Sequence, residues 1–367
     1  MVTRREFTCS VAAAGALVVL PSCSAGPDDE KYLAAVRTTW RHTNGKLDDS
    51  VAVQRELVRY ATLAPSSHNT QCWKFRIEGD AISVVPDFAR RCPAVDPDDH
   101  HLFVSLGCAA ENLAQAALAN GLHSEAAVLS SAEGGVRISL LATKPVTTPL
   151  FQAIPERQCT RADYDGRSIS AEELRMLEAA GAGTGVQMML FTQAADLENV
   201  LEFVVQANTA QMDDGAFVHE LKEWIRFNAR EAMRTNDGLH STTTGNPAVP
   251  SWLGRAGFKM FFRTKSENDK YAKQVRNSAG VAVFIAEVAD HAHWIEVGRS
   301  YERFALQATA LGIRNAFLNQ PVEMPAVRSQ FATYLGVAGR RPDLVVRFGR
   351  GPRMPQSLCR PVQQVLV

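Results

Sequence analysis

Two stretches of this chain repeat each other. Leu106 to His123 (LGCAAENLAQAALANGLH) and Val297 to Arg314 (VGRSYERFALQATALGIR) align without gaps at an offset of 191, placing Gly107 with Gly298, Glu111 with Glu302 and Gly121 with Gly312. Self-similarity over such a separation means that one structural unit has been built twice. Each copy reads as a helix that is apolar or small over most of its circumference and ends on a glycine able to take the left-handed cap. An apolar strand follows each, AAVLS and NAFLN. The likeness extends upstream, where Glu56 to Phe75 and Glu173 to Phe191 both read as helix, turn and strand. Two similar halves are therefore expected, 48–150 and 151–367, with 26–47 as a linker. The second half carries an insertion at about 234–273, rich in Gly, Pro, Ser and Thr at one end and aromatic in the middle. Long loops of this kind are often lids, and the aromatic residues predict one that packs on something.

The turns of the two copies differ. In the first it reads LAPSSHNTQCWKF, Leu63 to Phe75, with Ser66, Ser67, Asn69 and Gln71 beside Pro65 and no acid or base able to start catalysis alone. Hydroxyls, amides and backbone N–H groups hold a ligand by hydrogen bonds, which suggests a bound cofactor that carries the chemistry. The second copy reads GAGTG, without donor side chains, and lies between a helix and a strand in that order; a dinucleotide loop needs the reverse. One functional site per chain is expected. Between the halves, ERQCTR sets Arg157 and Arg161 four apart with Thr160 between them, a suitable receptor for a dianionic phosphate because guanidinium offers forked charged donors.

Lysine plus arginine and aspartate plus glutamate number 39 each, so no net field draws the chain to nucleic acid or to an anionic membrane. At the N-terminus, the Arg4–Arg5 pair, the uncharged run Val11 to Leu20 and the LPSC tetrapeptide ending at Cys23 read as a twin-arginine export signal over 1–25. The apolar run is too short to span a bilayer. Cys23 occupies the position of a lipidated cysteine. Seven cysteines show neither C-x-x-C nor zinc spacing, and burial as small hydrophobes is the expected fate of those in the body of the protein. His291 and His293 lack a third ligand nearby, so no metal site is expected. There is no G-x-S-x-G, H-E-x-x-H or Walker loop.

Taken in order, the APSSxNxQxWxF turn, the RxxTR motif, the small-residue helix ending in Leu-Gly and the C-terminal Arg-Pro strand resemble the nitroreductase superfamily of FMN flavoproteins. The tandem arrangement is similar to its single-chain, Acg-type branch. The resemblance implies an α+β fold, mainly antiparallel sheets flanked by helices, with two halves forming a pseudo-dimer and one FMN at their interface. It implies cofactor contacts from Pro65, Ser66, Ser67, Asn69 and Gln71 of the first half and from Arg157, Thr160 and Arg161 of the second. It adds Leu318, Asn319 and Gln320 at the N5 and O4 edge of the ring and Arg360 at the phosphate, with Arg347 and Arg350 as further cations. No catalytic side chain is needed. The implied partners are a small-molecule electron donor and acceptor, the twin-arginine machinery, and a membrane only through Cys23. The expected protein is an exported monomer, in the periplasm or at the outer face of the cytoplasmic membrane. Two departures stand out: Cys72 where proline is common, and Asn319–Gln320 where a Glu-Gly or Gly-Gly pair is common. Together with the lid they leave a second reading open, an FMN storage or sequestration protein without turnover.

Overall fold

The computed structural model describes residues 27–367 apart from 44, 46, 48 and 132; the expected signal and Cys23 lie outside the described residues. The chain runs α1 (Pro27–Thr39), α2 (Ser50–Ala61), β1 (Trp73–Glu78), β2 (Ala81–Pro86), α3 (His100–Ala119), β3 (Leu122–Val128) and β4 (Val136–Ala142). It continues through α4 (Pro149–Ala153), α5 (Ala171–Gly181), β5 (Val186–Phe191), α6 (Ala194–Asp213), α7 (Gly215–Trp224), β6 (Ile225–Arg226), α8 (Ala229–Thr235) and β7 (Leu239–His240). The remainder is α9 (Ser251–Phe261), α10 (Thr264–Arg276), β8 (Gly280–Ala286), α11 (His291–Ala310), β9 (Arg314–Phe317), α12 (Gln320–Glu323), α13 (Pro325–Tyr334), β10 (Pro342–Gly349) and α14 (Val362–Val365).

The fold is α+β: two four-stranded sheets, each flanked by helices. Their strand orders are β1-β2-β4-β3 and β5-β8-β10-β9. Numbered within its own sheet, each is 1-2-4-3, so the repeat read in the sequence is also a repeat of topology. All pairings in both sheets are antiparallel. Parallel pairing between named strands is confined to the short β6/β7 ribbon. One cluster of buried side chains runs from Leu57 to Val365 through both sheets, so the halves share a core. Its centre is the contact of α3 with α11, the two helices of the repeat, which cross at Gly107 and Gly298.

Three features differ from the sequence reading. The stretch expected as a linker contains α1, whose Asp28, Asp29 and Glu30 favour the helix N-terminus. Its Tyr32 is buried beside Leu358 and donates to the Gln356 carbonyl at 2.6 Å. The Arg-Pro segment is irregular and leads into the single turn of α14. Beyond it Leu366 pairs with Phe75 of the first sheet, so the tail crosses to the opposite half. The GAGTG turn is a packing requirement: a side chain at Gly183 would strike the Ser300 hydroxyl at 2.0 Å, and Arg303 of α11 donates to the carbonyls of Ala180 and Ala182.

Candidate functional site

The polar turn is held in an unusual backbone. His68, Asn69 and Gln71 have φ of 49°, 54° and 54°, a left-handed region that costs non-glycine residues free energy unless the surroundings hold them there. The surroundings do. The Ser66 hydroxyl accepts the Gln71 N–H at 2.9 Å. Asn69 Nδ2 donates to the carbonyls of Gly238 (2.9 Å) and Leu358 (3.1 Å). The Gln71 amide donates to Asn236 O at 2.9 Å and accepts the Arg360 N–H at 2.6 Å. A first-half turn is thus fixed by the insertion and by the C-terminal tail.

Beside it lies a cavity of about 540 Å³, within the range of small-molecule and cofactor sites. Pro65, Ser66, Ser67, His68, His101, Ser105 and Cys108 line it from the first half; Arg161, Phe317, Asn319, Gln320 and Glu323 line it from the second. The insertion forms much of the remaining wall, with Phe258, Phe262 and Tyr271 among its contributions. A smaller cavity of about 90 Å³ shares Pro65, Ser66, Arg161 and Phe317 with it and is also lined by Asn69 and Arg157.

Arg161 borders both cavities. The loop that carries it is bolted down through its backbone: Thr160 N–H donates to Asn315 O at 2.8 Å, Gln274 Nε2 to Arg161 O at 2.6 Å, and the Arg347 guanidinium to the carbonyls of Thr160 (3.1 Å) and Ala162 (2.9 Å). Among the described residues the Arg161 guanidinium itself has no hydrogen-bond or ion-pair partner. A half-buried cation so presented is ready for an anion. His68 Nε2 and Gln320 Oε1 are buried on the same cavity and also lack hydrogen-bond partners. Burial of His68, helped by the Arg161 charge, lowers its pKa to about 4, so its imidazole is neutral.

Several of the expected residues are engaged within the protein itself. Arg157 is buried with its Nε 3.2 Å from Glu302 Oε1 and its Nη2 donating to Leu63 O at 2.7 Å; an internal carboxylate already answers its charge. Thr160 is fully buried and works through its backbone. The amides of Asn69 and Gln71 hold the insertion and the tail. Arg360 does not reach either cavity; it donates to Gln71 O (3.1 Å) and Gln364 O (2.9 Å) and lies near Asp87. Arg347 is a buried bracket stacked over Tyr164, and Arg350 pairs with Glu173. Leu318 is packed in the second core with its N–H donated to Val345 O at 2.7 Å, and Asn319 Oδ1 accepts the Val345 N–H. For Asn69 and Gln71 the local reason is that their amides satisfy backbone groups that the insertion and the tail bring in. Cys72 is buried, and its thiol is pushed up to about 12 by that burial, so it is protonated and inert. The five cysteines of the described residues are all free.

The sequence reading missed Asn208 and Gln211 of α6, Lys270 and Tyr271 of α10, and His101, Ser105 and Cys108 of α3, which line the same cavity. Periodicity places these helices but does not say which face meets a cavity made by other elements.

No family model matches the chain. It is 22% identical over 323 residues to two Mycobacterium tuberculosis proteins, named "Putative NAD(P)H nitroreductase Rv3131" and "Putative NAD(P)H nitroreductase MT3217", with 85% of this chain and 90% of each of theirs covered. Similar solved structures include a nitroreductase with bound FMN from Bacteroides fragilis, at 19% identity and TM-score 0.37, covering 58% of this chain and 96% of that one. Another is the FMN-dependent nitroreductase NfnB from Mycobacterium smegmatis in complex with NADPH, at 16% identity and TM-score 0.38, covering 57% and 94%. Over most of its length, then, the chain is similar to proteins that bear the nitroreductase name.

Proposed function

We propose that the chain is an FMN-dependent oxidoreductase of the nitroreductase type, a pseudo-dimer of two similar halves meeting near residue 150, with one flavin site between them. The observation that carries this reading is the unpaired Arg161 guanidinium at the junction of two cavities, one of them walled by the Pro65–His68 turn and the Phe317–Gln320 segment from opposite halves. The residues fit the group. Arg161 would take the phosphate, Ser66 and Ser67 would offer hydroxyls, and the unsatisfied Gln320 Oε1 would accept an imide N–H of the ring. FMN when bound supplies two-electron transfer from a small-molecule donor to an acceptor such as a nitroaromatic or quinone. The neutral His68 and the aromatic wall of the insertion would keep the space dry. The relatives' names favour a nicotinamide as the donor. Export by the twin-arginine route belongs to the same reading, since that route carries proteins already folded around a cofactor.

The walling of the cavity by Phe258, Phe262 and Tyr271 of the insertion favours a second reading, flavin storage without turnover. An anaerobic titration of the purified chain with NADPH, then NADH and dithionite, separates the two. Bleaching of a bound-flavin absorbance band by a nicotinamide supports the reductase; bleaching by dithionite alone supports storage; absence of any flavin after reconstitution rejects both.

A further inference from the structure

We propose that Asp96, His100 and His101 bind one divalent transition-metal ion of the zinc type at the junction of the two halves. Each side chain offers a ligand atom, and these atoms lie within 4.8 Å of one another. All three residues are buried, His100 completely. Asp96 is fixed where it stands because its carboxylate accepts the N–H groups of His101 and Leu102, both at 3.0 Å, at the start of α3.

The tautomers of both imidazoles follow from a single residue of the other half. His101 Nε2 lies 3.3 Å from the Asp343 backbone carbonyl, which can only accept, so that nitrogen carries the proton. His100 Nε2 lies 2.7 Å from Asp343 Oδ1 and donates to it when that carboxylate is ionised, while Asp343 Oδ2 accepts the Ala286 N–H. Both Nδ1 atoms are then bare lone pairs, and neither has a hydrogen-bond partner among the described residues. Two buried acceptors without donors, next to a carboxylate, are costly unless a cation sits among them. An imidazole whose far nitrogen donates to a carboxylate or carbonyl is also how proteins orient histidine ligands. Glu323 stands just outside this group of three, its Oε1 4.0 Å from His101 Nδ1 and its other oxygen accepting Gln211 Nε2. The donor set is nitrogen and oxygen without thiolate, suited to Zn²⁺ or Fe²⁺. Arg341 and Arg328, whose charges act on His100, are engaged by Asp98 and by Val322 O. The ion would tie the segment of Asp96 to α3 in the first half, against Asp343 of β10 in the second, beside the large cavity, which His101 also lines. The linear sequence hides this, because nothing in Asp-x-x-x-His-His marks the outer partner Asp343.

The inference is independent of the flavin reading, since its readout is metal content. The purified full chain, stripped with chelator, is dialysed against Zn²⁺ and counted by atomic emission, and in parallel titrated with Co²⁺ as an absorbance probe. One ion per chain is expected, with d–d bands and no sulfur charge-transfer band. His101→Ala and Asp96→Asn should abolish retention. Asp343→Asn, which leaves every ligand in place, should weaken it 10- to 100-fold. Cys92→Ser and His293→Ala should retain it. Less than half an ion per wild-type chain overturns the proposal, as does retention in His101→Ala. So does a thiolate band or loss in Cys92→Ser, which would move the site to the neighbouring His68, Cys92 and Glu220. If the alanine variants fail to fold, the wild-type Co²⁺ spectrum and the Asp343→Asn affinity decide alone.

Discussion

Gly107 and Gly298 cross so closely that neither can carry a side chain: a Cβ on Gly107 would stand 1.9 Å from the Ile295 carbonyl oxygen, and one on Gly298 1.9 Å from that of Val104. Residues equivalent in the repeat meet each other reciprocally, as in a two-fold interface between identical subunits. Cys108 donates to Gly298 O at 3.3 Å, adding a weak bond at the crossing. Because the obstructing atoms are backbone, relief requires the helices to move apart. Gly107→Ala and Gly298→Ala should each destabilise the fold by at least about 1–3 kcal/mol, the scale of an overpacked core. Chemical denaturation checks this, and a wild-type midpoint in either variant would show that the crossing is looser than described.

The two arginines of the RxxTR motif should separate cleanly. Arg161→Ala removes an unpaired cation and should leave the melting temperature nearly unchanged while weakening FMN binding about 10- to 150-fold, the equivalent of one charged hydrogen bond of roughly 1.5–3 kcal/mol. Arg161→Lys should recover part of the loss. Arg157→Ala instead strands the buried Glu302 carboxylate and should cost roughly 3–5 kcal/mol of stability above about pH 7, where Glu302 is ionised. Flavin affinity by fluorescence quenching and melting by calorimetry test the pair. An Arg161→Ala protein with wild-type affinity would remove the phosphate assignment.

Glu302 should make stability depend on pH. Burial raises its carboxyl from the ordinary value of 4.5 to about 7, opposed by Arg157 and assisted by Glu111. Between those values the folded chain holds a proton that the unfolded chain has released, so stability falls as pH rises through the window. Each unit of separation carries about 1.4 kcal/mol, so the loss is a few kcal/mol at most. In Glu302→Gln this dependence should flatten. Urea midpoints at pH 5, 6 and 7.5 decide; an equally steep fall in the variant would assign it to another group.

How far the sequence announced these relationships depended on where the partner came from. The helices of the repeat, the polar turn and Arg161 were legible because each carries its chemistry locally. The distant partners of Gln71 and Arg360 were not: a buried amide engaged by a residue 289 positions away looks, in the linear sequence, like one offered to a ligand. Glu302 showed only its alignment with Glu111. The structure gives those equivalents different tasks, Glu302 facing Arg157 and Glu111 facing Arg299 and Arg303. The same asymmetry explains the GAGTG turn, which packs on α11 where the first copy opens onto a cavity.

Gln71 links three parts of the chain, and its loss should open the insertion before it unfolds the protein. Gln71→Ala leaves the Arg360 N–H and the Asn236 carbonyl without their partner, at a cost of roughly 1–3 kcal/mol. Asn236 begins the connection from α8 to β7, itself in a left-handed conformation with φ of 54°, so released tension appears there first. Limited proteolysis read by mass spectrometry should show faster cleavage between Asn236 and Met260 in the variant. Gln71→Glu keeps an acceptor for Arg360 but sets a carboxylate oxygen against the Asn236 carbonyl, so it should expose the same cleavage sites. Equal cleavage rates in wild type and Gln71→Ala would mean that Asn69 and the Arg90–Asp237 pair hold the insertion without it.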